Sequence, residues 1–267
     1  MRMKIVETFS CGKATSGYNE DKLVSSDNHF GILDGSRGPF YRGTDVIAAM
    51  LDDAKGLIEH FSEDITLEAC VEQLVDLAVS HKKKAGFEDH RTSGGFVFSL
   101  YSRYHNEIWR VGDCKILNGG REFSQFWSTE DICAKARALK VHALLNKGLS
   151  VADIQALADY DHMIDDLLQV AASFLNREND SRSFGAINGA PVPGPYIERI
   201  PTQTGRLVIT SDGYPAIHET LEQTEASLQQ LLTLDPLCIN ENMQCKGLGP
   251  GRISYDDRSY IAADLSN

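Results

Sequence analysis

Positive charge is scarce in this sequence. Its 267 residues carry 26 Lys and Arg against 38 Asp and Glu, a formal net charge of −12. Nucleic acids and anionic membrane surfaces attract proteins with a positive field, so neither is expected as a partner. A phosphate-bearing substrate held through metal ions is compatible with the same balance. Long apolar runs are missing too: none approaches the roughly 18 residues that span a bilayer. The opening MRMKIVETFSCGK returns to polar residues before it reaches signal-peptide length. A chain neither secreted nor membrane-inserted, hence cytoplasmic, is expected. None of the six cysteines forms a C-x-x-C pair, and the eight histidines show no H-E-x-x-H spacing. A zinc site is therefore not expected, and the cysteines read as reduced structural thiols. The remaining composition, 42% hydrophobic and 24% charged, is that of a globular chain and excludes disordered or collagen-like classes.

The hydrophobic pattern alternates between two periods. MKIVETF (3–9) and the stretch 22–33, broken by the turn pair Asp27-Asn28, read as strands. Residues 44–61 and 66–84 take the helical period, the second with Thr66 as a cap and Lys82-Lys83-Lys84 at the negative end of the helix dipole. Strands are expected again at 95–103 and 106–112, with a Gly119-Gly120 turn following. Residues 128–175 read as helical, with a capping box at Ser150 and Asp153. A loop is expected over 176–205, a strand at 206–210, a helix over 214–234, a Gly-rich loop at 247–255 and a closing strand at 259–265. Strands mostly follow strands, which favours antiparallel pairing and an α+β layered fold over repeated βαβ units. No linker marks a boundary, so residues 1–267 read as one domain with 128–175 as a helical excursion within it.

Five acidic spots share a context. Asn19-Glu20-Asp21 precedes one strand, Asp34-Gly35 follows another, Asp113 follows EIWRVG, Asp212-Gly213 follows RLVITS, and Asp256-Asp257 precedes the last strand. A carboxylate at a strand end projects from a rigid scaffold, and a neighbouring glycine allows close backbone approach. Sets of oxygen donors suit hard cations such as Mg²⁺ or Mn²⁺. Taken singly, each Asp-Gly is equally the chemistry of an ordinary turn.

In order along the chain, N-E-D (19–21), F-G-I-L-D-G-S-R-G (30–38), V-G-D-C (111–114), L-V-I-T-S-D-G (207–213) and D-D-R-S (256–259) resemble the signatures of the metal-dependent protein serine/threonine phosphatases of type 2C, bacterial members included. The resemblance implies a four-layer αββα sandwich of two mostly antiparallel sheets flanked by helices. It implies two Mn²⁺ or Mg²⁺ ions, with a weaker third in many bacterial members. Asp34 would bridge the two, the Gly35 carbonyl would ligate one, and Asp212 and Asp256 would hold the other. Glu20 and Asp21 would act directly or through waters, and Asp113 would match the third site. The implied reaction is hydrolysis of phosphoserine or phosphothreonine in a phosphorylated protein substrate by a metal-activated water.

The phosphate-binding half departs from the family pattern. Where members commonly carry an arginine, four residues before Glu20, this chain has Ser16. Lys13, Ser36 and Arg37 are the substitutes near the motif for contacting substrate, with Arg37 as the tentative phosphate contact, although a lysine lacks the bidentate fork of an arginine. Arg252, in the loop Gly247–Arg252, is a further candidate. Two other functions stay open: a phosphatase-fold binding or regulatory module with weak or no turnover, and a phosphohydrolase acting on a small phosphorylated molecule. The oligomeric state is not readable from the sequence.

Overall fold

The computed structural model describes residues 2–36, 45–87 and 94–267. Two five-stranded sheets form its centre. The first takes β1 (Arg2–Cys11), β10 (Arg258–Ser266), β9 (Gly205–Thr210), β6 (Lys115–Asn118) and β7 (Arg121–Phe123), in that spatial order. The second takes β2 (Asp21–Ser25), β3 (His29–Ser36), β4 (Gly95–Ser102), β5 (Glu107–Val111) and β8 (Glu198–Pro201). Every recorded strand pair is antiparallel.

The central strands are nearly all apolar because both of their faces are covered. One face of the second sheet (Phe30, Ile32, Val97, Tyr101, Ile108) meets Ile116, Leu207, Ile209, Ile261 and Ala263 of the first sheet. Its other face packs Val24, Leu33, Phe98, Leu100 and Trp109 against α1 (Asp45–Glu59) and α2 (Leu67–Lys84). The first sheet's outer face, with Val208, Tyr260 and Ala262, is covered by Leu228 and Leu232 of α6 (Leu221–Leu234). The result is an α+β sandwich of four layers, helix, sheet, sheet, helix, as the resemblance implied. Each fully buried Leu, Ile or Phe in such layers contributes roughly 1.5–3 kcal/mol.

Local signals account for most boundaries. Thr66 Oγ1 accepts from the Ala69 amide at 3.3 Å, and the last turn of α2 carries His81 and three lysines. Ser150 and Asp153 form a reciprocal capping box that opens α4 (Val151–Gln155). Residues 128–175 divide into α3 (Ser128–Asn146), α4 and α5 (Asp165–Ala172), with a tight helical turn at Tyr160–His162. Two expectations are corrected. The helix expected over 214–234 begins only at Leu221, because Pro215 disfavours helical backbone at the residue before it and Thr220 supplies the cap, accepting from the Gln223 amide. The loop expected over 176–205 contains β8, whose Ile200 is buried at the edge of the second sheet, opposite Ile108. All six cysteines are free thiols. Among the described residues no helix is long and apolar enough to cross a membrane.

Candidate metal-dependent active site

The acidic motifs lie at strand ends, and the sandwich brings those ends together. In the second sheet Asp21, at the start of β2, is paired in register with Asp34 near the end of β3. From the first sheet come Asp212, just past β9, and Asp256 and Asp257, just before β10. Asp113 follows β5. Glu20, Asp34, Gly35, Ser36, Asp113, Asp212 and Asp256 all line one cavity of about 550 Å³.

Hydrogen bonds between and within the sheets fix this end. Ser211 Oγ donates to Asp21 Oδ2 at 2.7 Å and accepts from the Ser259 amide at 2.9 Å. The Asp212 amide reaches Asp34 Oδ2 at 3.5 Å, and the Gly35 amide donates to the Glu20 carbonyl at 3.1 Å. Two glycines allow the close approach. A Cβ on Gly213 would stand 1.9 Å from the Asp257 carbonyl oxygen, and one on Gly35 would stand 2.8 Å from the Glu20 carbonyl. Gly213 thus lets the backbone beside Asp212 lie against that of Asp257.

Three lysines counter the acids. Lys13 Nζ lies 2.9 Å from Asp256 Oδ1, 3.0 Å from Asp257 Oδ2 and 3.4 Å from Glu20 Oε2. Lys246 Nζ donates to the other oxygen of Asp256 at 2.8 Å. Lys115 Nζ donates to the Tyr214 carbonyl and, at 3.3 Å, to that of Pro215. Arg252 pairs with Asp161 at 2.7 Å on the cavity wall.

The charges are unevenly matched. Burial pushes Asp21 up to about 8; the Asp257 and Asp212 charges add to this, against the pull of the Ser211 hydrogen bond. Burial, followed by the neighbouring Asp212 charge, also drives Asp34 and Asp113 upward. Asp212 rises by burial and then by Asp256. Glu130, in the first turn of α3, rises to about 7 by burial and then by Asp212 and Asp256. Asp256 moves the other way: burial opposes its ionisation, and the Lys13 and Lys246 ammonium groups outweigh burial. The remaining acids thus repel one another in a poorly solvated pocket, with Lys246 and Lys115 only partly offsetting the rise of Asp212 and Glu130, the condition that added cations relieve.

The donor set fits a divalent ion. All the donors are hard oxygens; Asp21, which does not itself line the cavity, keeps Oδ1 buried with no hydrogen-bond partner among the described residues. Also among the described residues, no three or more His, Cys, Asp or Glu side chains are grouped so as to hold a metal ion by themselves. A hydrated Mg²⁺ or Mn²⁺, held by one or two carboxylates and keeping several waters, fits this arrangement.

Of the expected substrate contacts, Lys13 is engaged by three carboxylates and Ser36 is exposed at the cavity. Arg37 lies outside the described residues. Ser16 is exposed and does not line the cavity. Nothing in the pattern of residues singles out Glu130, an acid in a helix's first turn like many others. Lys246 sits in an irregular loop with no periodicity to orient it. Asp257 was visible only as part of D-D-R-S, and it binds the backbone amides of Lys13 at 2.7 Å and Glu20 at 3.3 Å.

No protein-family model matches the chain, and no curated protein is similar to it. Solved structures are. The serine/threonine phosphatase PstP/Ppp of Mycobacterium tuberculosis matches with a TM-score of 0.53 at 14% identity, over 99% of both chains. The catalytic domain of the serine/threonine phosphatase PstP in complex with two manganese ions matches at 0.52, with 14% identity over 99% of both chains. The serine/threonine phosphatase Stp1 from Staphylococcus aureus matches at 0.51 and 14%, over 100% of this chain and 96% of that one. At these identities the likeness establishes the architecture: the chain has the two-sheet fold of the bacterial type 2C serine/threonine phosphatases.

Proposed function

We propose that this protein is a Mn²⁺- or Mg²⁺-dependent phosphomonoesterase that removes phosphate from phosphoserine or phosphothreonine in proteins. One observation carries this reading: mutually repelling carboxylates from both sheets converge on a single cavity, on the fold of serine/threonine phosphatases. Asp34, the Gly35 carbonyl, Asp212 and Asp256 would hold two ions, with Glu20 and Asp21 acting directly or through waters. Asp113 would serve a third, weaker site, where Glu130 adds a carboxylate. The ions supply Lewis-acid stabilisation of the phosphoryl group and a nucleophile at neutral pH. The chain's own residues do the positioning. Ser211 orients Asp21, Lys13 aligns Asp256 and Asp257, and Trp127, Leu168, Leu175 and Phe184 form an apolar wall of the cavity. We read the 267 residues as a single catalytic domain, with residues 128–175 as an excursion over this cavity, and the protein as cytoplasmic.

The test is hydrolysis of p-nitrophenyl phosphate and of phosphopeptides with Mn²⁺, with and without chelator, by the wild type and Asp212→Ala. Chelator-sensitive turnover that falls at least about 100-fold in the variant is expected, since an interaction with developing charge is removed. Wild-type protein with no metal-dependent turnover would sink the enzyme reading. The exposed Ser16 at the usual arginine position favours a second reading, a phosphatase-fold binding module, and that outcome would select it. Activity on small phosphates alone would instead select a small-molecule phosphohydrolase.

A further inference from the structure

The cavity has a metal-binding floor but no arginine at the position where the family clamps phosphate. The cationic side chains around it differ in their partners and in their exposure. Lys13 Nζ spends its three N–H groups on Asp256, Asp257 and Glu20, and its side chain is 11% exposed. Lys115 is turned to the Tyr214 and Pro215 carbonyls. The Arg252 guanidinium is bound to Asp161 at 2.7 Å and to the Gly247 carbonyl at 3.4 Å, and its side chain is 16% exposed. Lys246 differs: its ammonium donates to Asp256 Oδ2 at 2.8 Å, its side chain is 42% exposed, and it lines the cavity. An ammonium carries three donors, so two remain for an incoming ligand.

We propose that Lys246 is the phosphate-binding residue of this site, tethered to Asp256 by one N–H and meeting the phosphoryl oxygens of substrate with the others. The proposal rests on the phosphomonoesterase reading. Its geometry follows from the Asp256 contact. A group held within hydrogen-bond distance of a proposed metal ligand stands beside the place where a metal-held phosphate must sit. The loop that carries Lys246 is fixed by its surroundings: the Gly251 carbonyl accepts from the Thr15 amide at 3.0 Å, the Leu248 amide donates to the Pro236 carbonyl at 2.8 Å, and the Gln155 side chain donates to the Leu248 carbonyl at 2.6 Å. The clamp is thus carried by the C-terminal loop, while Ser16 faces solvent.

Binding of phenylphosphonate, a non-hydrolysable phosphoryl ligand, to Mg²⁺-loaded protein tests this by calorimetry, alongside binding of Mg²⁺ alone. Lys246→Ala should weaken phenylphosphonate roughly ten- to a hundredfold, the loss of a hydrogen bond between two charged groups. Its Mg²⁺ affinity should stay equal or become tighter, because Asp256 loses a competing ammonium. Lys246→Arg should recover phosphonate binding to within a few-fold. Unchanged phosphonate affinity in Lys246→Ala would overturn this proposal alone. A parallel loss of Mg²⁺ affinity would overturn it too, by showing that Lys246 only holds Asp256 in place. A wild type that binds Mg²⁺ but no phenylphosphonate would overturn both this proposal and the phosphomonoesterase reading.

Discussion

His29 opens β3, is fully buried, and has neither ring nitrogen hydrogen-bonded among the described residues. Aromatic rings surround it: Trp109 at 5.8 Å and Phe61 at 6.3 Å between centroids, with His105 also stacked on Trp109. Burial, and after it the charge of a protonated His105, lower its pKa from 6.5 to about 4. The folded protein therefore holds this imidazole neutral, while the unfolded chain protonates it near pH 6.5. Stability from keeping it neutral is fully present above pH 6.5 and is lost as pH falls toward 4. Each pH unit in that window costs about 1.4 kcal/mol, and the whole window about 3 kcal/mol. Against a typical total of roughly 5–15 kcal/mol, that is a large share. Urea unfolding in chelator at pH 7.5, 6.5, 5.5 and 4.5 measures it, on the wild type and on His29→Leu. The variant also cancels a confounding effect. Asp21 and Glu130 have raised pKa values, about 8 and about 7, so they favour the folded state as pH falls, and they do so equally in both proteins. The difference between the two curves should then grow by about 2.5 kcal/mol from pH 7.5 to 4.5, with the variant at least as stable at pH 7.5 because two orphaned nitrogens are gone. Parallel curves would refute the burial argument.

The site yields two more expectations. Ser211→Ala removes the hydroxyl between Asp21 Oδ2 and the Ser259 amide, leaving two buried groups unpaired. It should cost roughly 2–4 kcal/mol by urea unfolding in chelator, and Mg²⁺ should restore part of the loss as the cation takes over Asp21; no loss would mean the contact is already replaced by solvent. Mg²⁺ or Mn²⁺ at a hundred times its dissociation constant should stabilise the wild type by about 2.7 kcal/mol and release protons near pH 7, read by calorimetry in buffers of different ionisation enthalpy. Metal binding without proton release would contradict the raised carboxylates.

What was legible in the sequence was local. The Asp27-Asn28 turn separates β2 from β3, Thr66 caps α2, and the Ser150–Asp153 box opens α4, because each depends on contacts within a few residues. The acidic motifs were visible as motifs, and the family resemblance supplied their convergence; spacing alone could not, since Asp34 and Asp212 are brought together by the packing of two sheets. Glu130 and Lys246 escaped for the same reason. Their place at the cavity depends on the helical segment and the C-terminal loop folding over the sheet ends, and no periodicity in either sequence encodes it. The misplaced start of α6 shows the complementary failure: the apolar residues Tyr214 and Ile217 belong to the core, so the hydrophobic pattern is already present before the helix begins at Leu221.

The position of the acids between the sheets gives them a second consequence. Asp21 and Asp34 lie in strands of the second sheet, and Asp212, Asp256 and Asp257 flank strands of the first. Across this end of the sandwich the neutral hydrogen bonds from Ser211 and the Asp212 amide hold the sheets together, while carboxylates from opposite sheets push them apart. A cation shared between the two sets reverses the sign of that interaction, so the groups that disfavour packing in its absence become the link between sheets. Lys13 already provides such a link in part, joining Glu20 at the edge of β2 to Asp256 and Asp257 before β10. The Asp34–Asp212 side has no ammonium group of this kind among its recorded hydrogen bonds. It follows that protection of β2, β3 and β9 amides from hydrogen exchange should increase on metal binding more than that of β1 and β7, which lie at the far edges of the first sheet.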